Sequence, residues 1–195
     1  MKASLFKRIL AFLFDYFIIS LALSIITIGF NFNNNGYSKD LNKIVNDYKN
    51  GEITSSEYTK QILDLEFDVQ KDNLPINGVS CALFIGYFII FGYLNNGQTI
   101  GKKIFKIKVV NKKEENVSFW NMLIRSLFLY GILSTLYSII CVLFFDINVF
   151  NYGYKIIGTA ESLFLFISLL MVMYRTDGRG LHDLIGGTIV IGEVK

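Results

Sequence analysis

The residues with chemical capacity in this chain are few and unusually placed. Asp15 stands inside ILAFLFDYFIISLALSIITIGF, residues 9–30, an apolar run long enough to span a bilayer. A carboxylate there costs about 2.5 kcal/mol or more, so it must have a partner or a task. Arg8 precedes it by seven residues, which returns nearly to the same helix face roughly 10 Å lower. Arg125 lies as far past Phe119 as Asp15 lies past Ile9, roughly 9 Å into each helix. An Asp15–Arg125 pair is therefore expected, with Arg8 snorkelling to the headgroups. An acid tuned by arginines can exchange a proton for a cation, so Asp15 is a candidate ion or proton site. The same arginines would equally make it a permanently paired structural staple. Glu161 is the second candidate ion or proton site, with only Lys155 near it in sequence.

Other motifs point to less. His182 is the only histidine and adjoins Asp183. Neighbours on a helix diverge by about 100°, which favours a structural histidine over a proton-handling pair. No serine or cysteine nucleophile motif accompanies them. GQTIGKK at 97–103 fails as a phosphate loop, because its glycines are too close and serine or threonine does not follow the lysine. Lys102, Lys103, Lys106 and Lys108 read as a basic cluster at the membrane surface, attracted to anionic lipid. Cys81 and Cys141 sit in apolar runs and read as free buried thiols, although a disulfide is geometrically conceivable. Neither has metal-ligand spacing to a second Cys or to His, so no metal and no cofactor is expected.

The elements that must position these groups are membrane helices. The chain has 195 residues, 52% of them hydrophobic and a single proline, and its apolar residues fall in long runs. We expect an all-α membrane protein with four transmembrane helices at about 9–30, 76–94, 119–145 and 156–174, Ser118 capping the third. The first is read as a retained span rather than a signal peptide, being long, charged and without a cleavage site. The segment 31–77 is an insertion in an otherwise single domain, 1–195. Within it, amphipathic spacing at Leu41, Ile44, Val45 and Tyr48, and at Tyr58, Ile62, Leu65 and Val69, predicts a helical hairpin at 38–71, broken at Asn50-Gly51. Alternation at 104–110 and 188–194 predicts a small β element. The loop Asp146–Lys155 should link spans three and four.

Lysine and arginine placement sets the orientation. The N-terminus, the six-lysine segment after span two, and Arg175 with Arg179 fall on one side of four spans. The insertion carries five lysines against eight acids and falls on the other. Both termini are expected in the cytoplasm, in a multi-pass protein of the cytoplasmic membrane. The lipid bilayer is its obligatory partner, a homo-oligomer or a membrane protein is a further one, and nucleic acid is not expected.

Four blocks in order carry a family resemblance: KRILAFLFDYFII at 7–19, GQTIGKKIFKIKVV at 97–110, Arg125-Ser126-Leu127, and GRGLHDLIGGTIVI at 178–191. The chain resembles the RDD family of small integral membrane proteins, named for one arginine and two aspartates. By that pattern the arginine corresponds to Arg8 and the aspartates to Asp15 and Asp183, with the hairpin an addition. The resemblance implies a transport-related role for an unknown ligand, or sodium/proton exchange. The alternative is a non-enzymatic membrane scaffold or assembly factor whose intramembrane charges are structural.

Overall fold

Residues 2–30 and 35–192 are described by a computed structural model. The start of the insertion at 31–34 and the end of the second β segment at 193–194 lie outside them. The helices are α1 (Leu5–Phe30), α2 (Asn35–Lys49), α3 (Ser55–Asp72) and α4 (Leu74–Leu94), then a short α5 (Ile100–Ile104) and strand β1 (Ile107–Asn111). There follow α6 (Phe119–Leu129), α7 (Ile132–Phe144), α8 (Ile147–Tyr174), a short α9 (Leu181–Ile185) and β2 (Thr188–Gly192). This is a multi-pass membrane protein. α1, α4 and α8 are long and apolar enough to cross a bilayer. The pair α6–α7, bent by 78°, makes a fourth crossing if taken as one broken span. Large apolar side chains project outward from the spans, among them Leu13, Phe17, Ile25, Leu163 and Phe166.

The chain ends where it began. β1 pairs antiparallel with β2, Val109 opposite Val190, and Lys2 bridges to Ile191 at the ribbon edge. A two-stranded ribbon is marginal alone. Here Ile107, Val109 and Val190 pack with Ala3, Ala11, Met122 and Ile132 in one core. Lys2 and the ribbon mark the basic end of the molecule, and the opposite end is the hairpin end. α2 and α3 form the expected hairpin at that opposite end, with Tyr48 stacked on Tyr58 at 4.6 Å. Thr54 and Glu57 start α3 with a reciprocal capping box.

Three sequence expectations change. The third span is not continuous: Gly131 takes φ +66°, a left-handed conformation that glycine adopts without steric cost, and the helix restarts at Ile132. The Asp146–Lys155 loop is helical, because Asp146 caps the amides of Asn148 and Val149 and Phe150 packs on Phe67 of the hairpin. α8 therefore runs 28 residues, roughly 42 Å, and emerges beyond a bilayer core of about 30 Å. The first β segment begins only at Ile107, because residues 100–104 coil into α5 and Lys106 turns the chain at φ +54°.

Candidate functional site

The buried charges gather at the basic end around two carboxylates, which do different things. Asp15 is fully buried and, among the described residues, forms no ion pair. Thr99 Oγ1 donates to its Oδ2, the Gly101 amide donates to Oδ1 at 2.7 Å, and Tyr87 Oη donates to Oδ1 at 2.6 Å. Tyr87 Oη also accepts from the Ile100 amide at 3.2 Å. The GQTIGKK segment is thus the socket for Asp15: its amides start α5, and a carboxylate at a helix start takes up orphan donors. A Cβ on Gly101 would stand 2.9 Å from the Asp15 carboxyl carbon and collide with the Ala11 carbonyl, so only glycine fits that approach. Tyr87 reaches in from a π-helical stretch of α4, Ile85–Phe91.

Asp183 collects the arginines. Arg125 Nη1 donates to its Oδ1, and Arg8 Nη1 lies 3.5 Å from Oδ2. Thr188 Oγ1 donates to Oδ1 at 3.0 Å and the Gly180 amide to Oδ2 at 3.3 Å. Burial opposes ionisation of Asp183, but Arg125, then His182 and Arg8, outweigh it and hold the carboxyl below its ordinary range. Arg8 also donates to the carbonyls of Gly178 at 2.7 Å and Val190 at 3.1 Å. The two arginines expected to serve Asp15 therefore both serve Asp183. Depth along two helices matched Arg125 with Asp15, but α9 brings a second acid, Asp183, to Arg125. Arg8 does not snorkel; it ties α1 to the ribbon.

His182 does meet its neighbour, contrary to expectation: Nε2 lies 3.4 Å from Asp183 Oδ2. Nδ1 is 2.5 Å from Ser168 Oγ on α8. Serine, histidine and aspartate thus stand in the order of a hydrolase triad, a juxtaposition that sequence motifs did not reveal. Its chemistry argues against that use. Burial, then repulsion from Arg125, depresses His182 to about 3, making it a poor base, and Asp183 is already committed to two guanidiniums.

Lys102 is the other correction. Lys103 and Lys106 are exposed and Lys108 is half-buried, whereas Lys102 is 7% exposed. Among the described residues its ammonium has no hydrogen-bond or ion-pair partner. Burial, then Arg125, lowers it to about 7 against weaker support from Asp15 and Asp183. It faces a chamber of about 220 Å³ between α1, α6 and α8, with Arg8, Arg125, Ser168 and His182 also in the wall.

Glu161 lies apart from this group. Its Oε1 accepts the Ser134 amide at 3.2 Å, so the break at Gly131 exposes a helix start inside the bundle and Glu161 caps it. A glycine within an apolar run was the signal for this. Lys155 instead lines a mixed polar cavity of about 590 Å³ under the hairpin. Cys81 and Cys141 are buried free thiols. Among the described residues no cluster of His, Cys, Asp or Glu could hold a metal ion.

A family model described as the RDD family matches residues 2–187. No curated protein and no solved structure matches the chain.

Proposed function

The chain belongs to the RDD family, and from that premise we propose that it is a non-enzymatic scaffold of the cytoplasmic membrane. Its buried charges hold the basic end together as one platform. The supporting observation is the saturation of both fully buried carboxylates at the basic end: Asp15 takes three donors and Asp183 two arginines, Thr188 and an amide. Such acids staple α1, α4, α6 and the two ribbon turns rather than cycle a proton or cation. In this reading both termini and the exposed lysines Lys103 and Lys106 face the cytoplasm. The hairpin stands outside, available to a second copy or another membrane protein.

A transport-related role is the second reading, favoured by the chamber and by Lys102, which has no ion-pair partner among the described residues. Liposomes containing the purified chain and an internal pH-sensitive dye separate the two. The scaffold reading expects sodium or potassium gradients to drive no more proton flux than in protein-free liposomes. Flux that Asp15→Asn abolishes in a folded protein would replace it with exchange. Fluorophosphonate should leave Ser168 unlabelled; a covalent adduct there would reopen the hydrolase question.

A further inference from the structure

The chamber at the basic end is mostly apolar, with a small cationic floor. Its floor carries Arg8, Lys102 and Arg125. Two of these cations share the single carboxylate of Asp183, and Lys102 has no carboxylate partner among the described residues. Arg8 Nε and Arg125 Nε are buried without a hydrogen-bond partner. Buried N–H donors left open are costly, and a buried lysine with no ion-pair partner among the described residues is more so. The floor is complementary to an anion.

The mouth is apolar and opens between two membrane spans. Ile9 on α1 and Leu165 and Leu169 on α8 line it, with 39%, 38% and 45% of their surfaces exposed. Phe12 and Val172 continue the wall inward. Arg8 lies three residues into α1, roughly 4.5 Å from the helix start, which is headgroup depth for one leaflet. A free inorganic anion would use the floor and leave this wall against lipid tails. An amphiphile would use both.

We propose that the chamber is a binding site for an acidic phospholipid of the basic-end leaflet, its phosphate seated on Lys102, Arg8 and Arg125 and an acyl chain leaving between α1 and α8. The Arg8 and Arg125 guanidiniums supply phosphate donors, and Lys102 supplies the charge that Asp183 does not already balance. The site goes beyond the scaffold reading and does not depend on it, since occupancy requires no flux and no protein partner.

The test is native mass spectrometry of the full chain released from detergent with phosphatidylglycerol and phosphatidylcholine in equal amounts. Phosphatidylglycerol should be retained over phosphatidylcholine. Lys102→Met should weaken that retention by about tenfold or more, the loss of one charge-assisted contact. Lys102→Arg should keep it, and Lys103→Met, an exposed neighbour, should leave it unchanged. Leu169→Trp, which fills the mouth, should weaken it while thermal melts report an intact fold. Excess inorganic phosphate should not displace the lipid. Equal retention of the two lipids overturns the proposal, as does equal loss in Lys103→Met and Lys102→Met. Displacement by phosphate with no effect of Leu169→Trp would identify a free-anion site and overturn the lipid assignment.

Discussion

Arg125 gives its guanidinium to Asp183, 58 residues further along the chain, and not to Asp15, which the start of the apolar run at Ile9 had placed at matching depth. That choice joins α6 to α9 and leaves α1 tied to the ribbon through Arg8. Removing one partner of a buried pair strands the other charge. Arg125→Ala or Asp183→Asn should each cost about 3–5 kcal/mol. In a double-mutant cycle the two should couple strongly, whereas Arg125→Ala with Asp15→Asn should add within about 0.5 kcal/mol. Unfolding in mixed micelles reads both cycles; coupling of Arg125 to Asp15 instead would refute the pairing.

The Asp15 socket makes a graded series. Thr99→Val removes one donor and should cost about 1–3 kcal/mol, with Tyr87→Phe in the same range. Gly101→Ala should cost more than either, because its methyl group meets the carboxylate and a backbone carbonyl rather than a flexible side-chain end. Thermal melts rank the three. Gly101→Ala melting as the native chain does would show that the socket is not built as described.

Two buried bases give slopes of the same sign in separate pH windows. Lys102 releases its proton near 7 when folded, against 10.5 ordinarily. Between those values the unfolded chain holds a proton that the folded chain has lost, so stability rises with pH across that window. Lys102→Met should flatten this limb and raise the melting temperature at pH 7, by about 2–4 °C for each kcal/mol relieved. His182 stays neutral in the fold down to about 3, against 6.5 ordinarily. Acidification from 6.5 towards 3 therefore protonates only the unfolded chain and lowers stability, by at most about 1.4 kcal/mol per pH unit. His182→Gln should remove that acid slope; an unchanged slope would locate the acid sensitivity elsewhere.

Orientation is tested by labelling. With Cys81 and Cys141 replaced, Lys60→Cys in the hairpin and Lys106→Cys beside the ribbon should react with an impermeant maleimide from opposite sides of sealed vesicles. Reaction of both from one side contradicts the four-pass arrangement with cytoplasmic termini.

Apolar runs, the amphipathic stripes at 41–48 and 58–69, and the alternation of IFKIKVV and TIVIG were enough to read membrane helices, hairpin and ribbon. These are local signals, since hydrophobic periodicity is written in neighbouring residues. Capping at Ser118 was legible for the same reason. The break at Gly131 was not, because an apolar run with one glycine satisfies either a straight or a bent helix. Glu161 on another span stabilises the bent one.

The charged partners were the least legible part. The sequence by itself determined that Arg8, Asp15, Arg125 and Asp183 had to be compensated inside a membrane protein, because ions are costly to remove from water wherever they end up. It could not determine with whom. Depth constrains a helix residue along one axis only, and a short polar turn can bring any acid to that depth. Tertiary packing decided that Gly101 and Thr99 serve Asp15 and that Asp183 takes both arginines. It also decided that Lys102 turns inward, leaving a buried lysine with no ion-pair partner among the described residues.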